Sequence, residues 1–336
     1  MDKVIIVDGL SKDYPLNKGK KTLSALKGIS FNVYKGEIFG ILGPNGAGKT
    51  TTLEIIECLK SQTSGRVTVL GFDNLEAPDD IKKRIGVQLQ SSQYLHHLSL
   101  GELLDLFASF YPKDVSSRVQ PRDPLNFDGQ GIPRSEALLR NDTQGLLRLV
   151  GLEEKESEEF ANLSGGQKQR FTIATSLVHE PKILFLDEPT TGLDPKARRD
   201  MWQLIKKINA DGITTVLTTH YMEEAEFLCH RVAIMDQGKI LEIDEPKKLI
   251  DRLSDTTQIS FFTDKQIDQG IFKSIAEIKK VHADFPKVVL EITSLDKISA
   301  VVNLLKRQNV IFYGFTVKTA TLEDVYLDLT GKEYEE

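Results

Sequence analysis

Eight consecutive residues, Gly43-Pro44-Asn45-Gly46-Ala47-Gly48-Lys49-Thr50, restrict this chain more than any other feature. The string matches G-x-x-x-x-G-K-[ST], follows the apolar run Ile38 to Leu42 directly, and precedes a helical pattern holding Leu53, Ile55 and Ile56. Strand, glycine turn and helix in that order make a cradle whose backbone N–H groups point inward at phosphate oxygens. Lys49 supplies a cation for the β and γ phosphates and Thr50 a hydroxyl for Mg²⁺, and Thr51 is taken with the loop as a nucleotide-binding residue.

The surroundings of the loop predict an α/β fold, a P-loop NTPase with a mostly parallel core sheet. Ile38 to Leu42, Ile183 to Leu186 and Thr215 to Leu217 are short and mostly apolar, the pattern of strands buried on both faces. Ligands of open α/β sheets bind beyond the carboxyl ends of the strands, so the polar residues after these runs should converge on one crevice. One run leads straight into Asp187 and Glu188, where unpaired charge at the end of a buried strand would be costly. A divalent cation resolves that cost: Asp187 would hold Mg²⁺, directly or through water, while Glu188 polarises an attacking water as general base.

At 336 residues the chain exceeds what one hydrophobic core usually supports, which predicts two domains. The first covers residues 1–247, with a helical subdomain at about 91–160. There Ser99 and Glu102 form a capping box, and Leu100, Leu103, Leu104, Phe107 and Phe110 fall on one helical face. A long exposed loop is expected at about 111–141, where periodicity vanishes among Pro112, Pro121, Pro124, Pro133, Gly129 and Gly131. Residues 248–336 have the order β-α-β-β-α-β, a C-terminal α+β module like a split βαβ sandwich. It has a strand at Gln258 to Thr263, a hairpin around Asp284 to Lys287, a helix at Leu295 to Gln308, a strand at Ile311 to Val317 and a last helix capped by Thr321 and Asp324.

A formal charge of -6 provides no global field for a phosphate backbone, so nucleic acid is not expected as a partner. Cys58 and Cys229 lie far apart in apolar-rich segments and suit core thiols in a reducing compartment. The start MDKVIIVDGL lacks the basic residues and long apolar run of a secretion signal. No stretch approaches the roughly 20 apolar residues of a membrane crossing, so a membrane role would come through another chain.

Between the glycine loop and the acidic strand lies Leu163-Ser164-Gly165-Gly166-Gln167, and after it the string ILFLDEPTTGLDP. Together these resemble the signature and the acidic strand of ABC transporter cassettes, a resemblance that runs from Val4 to about Lys247. It implies that ATP and Mg²⁺ are bound, and that Ser164 and Gly166, at a helix start, meet the γ-phosphate held by a partner cassette. Two such subunits, identical or sister, would close head to tail around two ATP molecules. The resemblance makes Asp194 part of the turn that reports one site to the other, and His220 the switch residue that touches the γ-phosphate. Tyr14 matches the aromatic residue that stacks on adenine. Gln90 aligns best with the glutamine that senses Mg²⁺ and couples to the membrane partner, although Leu89 stands where the family usually has proline and Gln88 is close by.

The tail, TATLEDVYLDLTG, and the segment YMEEAEFLCHRVAIMDQGKI resemble ATPase subunits of the daunorubicin-resistance type, which pair with ABC-2 type permeases. The resemblance implies an ATP-hydrolysing exporter subunit, peripheral on the cytoplasmic face of the cell membrane. Two other classes compete with it: a soluble ABC ATPase not coupled to transport, and a nucleotide-dependent regulatory module without turnover. A single glycine loop and a single LSGGQ disfavour the first, and the intact Glu188 disfavours the second.

Overall fold

The protein is described here from a computed structural model covering residues 2–16, 21–88, 94–95, 97–111, 143–253, 257–276, 278–293 and 296–332. Gln90, and the expected loop at 111–141 apart from Tyr111, lie outside the described residues. The chain divides into two compact units, the second beginning at Pro246.

Among its described residues the first unit contains ten strands: β1 (Lys3–Leu16), β2 (Lys21–Tyr34), β3 (Ile38–Leu42), β4 (Ser64–Val69), β5 (Phe72–Asp73), β6 (Ile85–Gln88), β7 (Ile183–Asp187), β8 (Thr214–Thr219), β9 (Arg231–Asp236) and β10 (Lys239–Asp244). The core sheet has the order β10-β9-β3-β8-β7-β6, and an antiparallel sheet has the order β2-β1-β4-β5. From β9 to β6 every pairing in the core sheet is parallel, and β10 adds antiparallel at one edge. β3 and β8 are buried along their whole length, as their apolar and threonine content requires of a strand covered on both faces. Phe39, Ile41, Ile183, Phe185 and Val216 pack on one side of the sheet with Leu53, Ile55 and Ile56 of the helix Lys49–Ile56. The same core takes in Ile5, Leu26, Phe31 and Val67 of the antiparallel sheet.

The register determines the site. Leu42 lies beside Thr219 and Asp187 beside Thr218, while Gln88 pairs with Leu186. Four neighbouring strands therefore finish at about one level: β6, β7 and β8 deliver Gln88, Asp187 and Thr218 there, and β3 leads into the glycine loop.

In the helical region the helix Leu100–Ser109 begins at the expected capping box, with Ser99 accepting from the Glu102 N–H and Glu102 accepting from the Ser99 N–H. Leu100, Leu103 and Leu104 are buried. Phe110 departs from the expected stripe: it is the C-cap, past the last helical residue, and is 64 % exposed. Both cysteines are free, Cys229 buried and Cys58 partly so.

The second unit opens with the helix Pro246–Leu253 and forms an antiparallel sheet of β11 (Thr257–Thr263), β12 (Ile278–Asp284), β13 (Lys287–Ile292) and β14 (Phe312–Lys318) in the order β12-β13-β11-β14. With the helix Lys297–Arg307 between β13 and β14, this is the strand order of a split βαβ sandwich. The first crossover contains a short 3₁₀ stretch, Gln269–Ser274, where the helical spacing had suggested α-helix. Phe272 from that stretch fills the core with Ile259, Phe261, Leu290, Val301 and Leu305. Thr321 and Asp324 form the expected capping box of the helix Leu322–Thr330.

Candidate functional site

Gly43, directly after β3, has no room for a side chain: a Cβ there would stand 2.1 Å from the Met235 carbonyl oxygen of β9. Gly48 is in the left-handed region, φ 105°, with a would-be Cβ 2.9 Å from the Ala25 carbonyl oxygen. The first contact holds the loop against the sheet and the second turns the chain into the helix Lys49–Ile56, a bend open to glycine alone. The 43–50 string thus forms the strand–turn–helix cradle that its spacing predicts.

Lys49 is 4 % exposed and fully engaged. Its Nζ donates to the carbonyl oxygens of Gly43 at 2.8 Å and Pro44 at 3.2 Å, and lies 3.3 Å from Glu188 Oε1. Burial pushes the ammonium pKa down, against the attraction of Glu188 and Asp187. The loop carbonyls hold the amine over its own cradle, where phosphate oxygens would be richer acceptors.

Asp187 and Glu188 differ sharply although adjacent. Asp187 Oδ1 accepts from Thr218 Oγ1 and, at 3.4 Å, from Thr50 Oγ1. Burial raises its pKa, and the two hydroxyls only partly offset that rise. Glu188 departs from strand geometry with φ 48°, a left-handed backbone that a glutamate rarely adopts and that turns its side chain out of the sheet. Its N–H is secured by Thr218 Oγ1 at 3.0 Å. Its carboxylate meets Lys49 on one oxygen; on the other it accepts from Thr191 Oγ1 at 3.1 Å and lies 3.2 Å from His220 Nδ1. Burial would raise this carboxyl too, but Lys49 and His220 outweigh it and hold the pKa below the usual glutamate value. Glu188 is thus ionised at neutral pH, as an acceptor of a water proton must be.

His220 closes β8, 11 % exposed at its side chain, with its ring 4.2 Å from that of Tyr221. The Nδ1 contact with Glu188 lacks the alignment of a hydrogen bond, so the ring faces the carboxylate without being locked to it. The structure therefore brings together Lys49, Thr50, Asp187, Glu188 and His220. Thr218, which the motifs did not single out, is the hinge of the group, donating to Asp187 and accepting from the Glu188 N–H.

The fit of a divalent cation rests on Thr50 and Asp187. A hydroxyl and a carboxylate oxygen converge there, and burial of the carboxylate favours a nearby positive charge. Among the described residues no group of three His, Cys, Asp or Glu side chains forms a self-sufficient metal centre. A cation held by these two would complete its shell with water and phosphate oxygens, as Mg²⁺ does.

The signature residues stand apart. Ser164 caps the helix Gly165–Leu177, its Oγ accepting from the Gln167 N–H while Gln167 Oε1 accepts from the Ser164 N–H at 2.9 Å. Leu163 is buried as an anchor, while Ser164 and Gly165 are exposed at a helix start, where free N–H groups and the helix dipole favour an anion. Among the described residues no hydrogen bond or ion pair joins this turn to the glycine loop of the same chain. Gly166 lies against the aspartate turn, its would-be Cβ 3.2 Å from Ala197 Cβ. Asp194 caps the helix Pro195–Ala210, accepting at Oδ1 from the N–H groups of Lys196 and Ala197, both at 2.9 Å.

Tyr14 lies near the end of β1, half-buried, with the Lys12 and Lys60 ammonium groups 5.1 and 5.8 Å from its ring centre. Its described partners are these lysines, not loop atoms. Gln88, two residues before Gln90, is buried at the end of β6 with an Oε1 that has no hydrogen-bond partner among the described residues.

The ABC transporter family profile matches residues 26–191. The linearmycin resistance ATP-binding protein of Bacillus subtilis is 33% identical over 320 residues, covering 94% of this chain and 95% of that protein. The Nod factor export ATP-binding protein I of Ralstonia nicotianae is 31% identical over 333 residues, covering 98% and 94%. Among solved structures, a dimeric post-hydrolysis state of an ATP-binding cassette bound to ADP and Pi aligns with TM-score 0.58 and 29% identity, over 72% of this chain and 98% of the other. A subunit of a transporter complex from Clostridium perfringens aligns with TM-score 0.59 and 28% identity, over 75% and 92%.

Proposed function

The chain belongs to the ATP-binding proteins of ABC transporters, and from that premise we propose that it powers export through a separate membrane permease by binding and hydrolysing ATP at the site formed by Lys49, Thr50, Asp187, Glu188 and His220. The observation that carries the reading is the convergence of these five side chains at the carboxyl ends of adjacent parallel strands.

The residues 43–51 wrap the phosphates, and Lys49 exchanges its contact with Glu188 for the β and γ oxygens. Freed from that cation, Glu188 stays oriented by Thr191 and by the Thr218 contact to its backbone, and takes a proton from the water that attacks the γ-phosphorus. His220, facing the same carboxylate, contacts the γ-phosphate and so distinguishes ATP from ADP. Thr50 and Asp187 would hold Mg²⁺, which neutralises charge on the phosphates when bound. Gln90 would complete the metal environment and report it to the permease, and Tyr14 would stack on adenine.

The exposed start of the signature helix supports a site completed in trans: Ser164 and Gly166 of one subunit cap the nucleotide of its partner, with Leu163, Gly165 and Gln167 shaping the turn and Asp194 linking the two sites. A dimeric cassette among the solved relatives supports the same arrangement. Export is favoured because one full-length relative is named for export and another for resistance. A permease of ABC-2 type and a peripheral position on the cytoplasmic face of the membrane complete the proposal. No helix among the described residues is long and apolar enough to cross a membrane. The module 248–336 is assigned an accessory role beside the cassette of residues 1–247.

Glu188→Gln tests the assignment. The amide keeps the shape but accepts no proton, so turnover should fall about 10²-fold or more while ATP still binds and holds the subunits together. Phosphate release at the rate of the unaltered protein would remove Glu188 from the role of base.

A further inference from the structure

We propose that Glu224 is a positioning residue for ATP hydrolysis: a buried carboxyl that ties the helix after His220 to the segment after Glu188 and to the helix capped by Asp194. The proposal rests on the roles given above to Glu188 and His220.

Glu224 is completely buried in the helix Met222–Leu228, four residues past His220. Its Oε1 accepts from Thr190 Oγ1 at 2.8 Å and from Trp202 Nε1 at 2.9 Å. Thr190 follows Glu188 by two residues and is itself fully buried, and Trp202 belongs to the helix that begins at Asp194. The hydroxyl of Thr219, which immediately precedes His220, also approaches the carboxyl. The carboxyl thus touches the chain just after Glu188 and just before His220. Phe227, from the same helix, stacks on Trp202 at 5.0 Å and closes the assembly from its outer side.

Packing alone does not call for this arrangement. An apolar residue would fill the space without desolvating a carboxyl, and Oε2 has no hydrogen-bond partner among the described residues, so the group is only partly compensated. What the carboxyl provides and a leucine could not is one acceptor shared by two segments, so that neither can shift without breaking a buried hydrogen bond. Glu188 already sits in a strained backbone conformation that surrounding contacts must hold, and Thr190, two residues on, is a buried side chain tied by a hydrogen bond. Since Trp202 lies in the helix begun by Asp194, the same carboxyl also connects the hydrolytic site to the turn proposed to face the partner subunit.

The test is steady-state ATPase activity of the purified full-length chain carrying Glu224→Ala, Glu224→Gln, Thr190→Val or Trp202→Phe, with Glu188→Gln assayed alongside. Glu224→Ala should lower kcat about 10- to 100-fold, because small displacements of a reacting group are that costly, while KM for ATP stays within about threefold. Glutamine preserves the Oε1 acceptor, so Glu224→Gln should recover kcat to within about threefold of the unaltered protein. Thr190→Val keeps the shape and removes one donor, and should lower kcat by about three- to tenfold even if Glu224→Ala does not fold.

Trp202 is the sole tryptophan, so its emission reports the link directly. Adding Mg²⁺ and ATP should shift the emission in the unaltered chain and in Glu224→Gln, and leave it unshifted in Thr190→Val. Unchanged kcat in Thr190→Val, or kcat and KM moving together in Glu224→Gln, overturns the proposal. If Glu188→Gln silences turnover and the Glu224 and Thr190 variants do not, only this proposal falls; if Glu188→Gln keeps turnover, the reading of the site beneath it falls as well.

Discussion

Replacing Glu57 with glutamine should stabilise the nucleotide-free chain at neutral and mildly alkaline pH and flatten its pH dependence. Glu57 is the C-cap of the phosphate-loop helix and only 5 % exposed. Burial, reinforced by the charges of Asp187 and Glu54, pushes its carboxyl from 4.5 up to about 8. The folded chain therefore holds this proton more tightly than the unfolded chain, and the stability that the proton contributes is complete below about pH 4.5 and lost as pH rises through about 8. At about 1.4 kcal/mol for each pH unit between the two values, the loss is at most about 5 kcal/mol, of which about 3 kcal/mol has gone by pH 7. Glutamine has no proton to lose. Urea unfolding of the full-length chain with a chelator present should show the advantage of Glu57→Gln widening by about 3 kcal/mol between pH 5 and pH 8. Parallel stability curves for the two proteins, or an advantage that shrinks as pH rises, would refute the account of a protonated acid behind the phosphate loop.

Local chemistry made much of the site legible before any coordinates. The glycine string requires a turn that only glycine can make and that only one element order can flank, and the strand Ile38–Leu42 has the bounds that its apolar run suggests. Capping boxes at Ser99, Ser164 and Thr321 depend on three-residue spacing, so they too are legible locally. Thr218 and Glu224 stayed hidden for the opposite reason. Thr218 matters because parallel pairing sets it beside Asp187, thirty-one residues away in sequence, and no periodicity reports register between strands. Glu224 sits in a run of acids, YMEEAEFL, whose spacing does not tell which faces inward; its partners arrive from residues 190 and 202. In the second unit, alternation over Ile311 to Val317 suggested a regular strand. Gly314, at φ 62°, instead interrupts the ladder, with a register shift between Ser260 and Phe262, and leaves Phe312 and Phe315 facing the core three residues apart.

Lys49→Ala should weaken ATP binding at least about 10²-fold in equilibrium titration, because the cation proposed to meet the β and γ oxygens is gone. Retention of ordinary affinity would mean that the loop binds phosphate through its backbone alone. Ser164→Arg separates the two halves of the proposed composite site. In its own chain Ser164 is exposed, and its one described side-chain role is the cap on the Gly165–Leu177 helix, so losing it costs about 1 kcal/mol of helix stability. Ser164→Ala removes that same cap without adding bulk and serves as the reference for it. Arginine at this position meets no part of the chain's own phosphate loop, so ATP binding to the isolated subunit should match that of Ser164→Ala. A long cationic side chain on the surface proposed to close over a neighbour's triphosphate should instead prevent closure. ATPase activity should then drop at least about tenfold below the reference, and ATP should no longer assemble dimers when Ser164→Arg is combined with Glu188→Gln. The outcome separates two geometries that one subunit cannot distinguish. If hydrolysis is completed within a single chain, Ser164→Arg behaves like Ser164→Ala; if the signature turn of one subunit finishes the site of the other, binding and turnover part company at this residue alone.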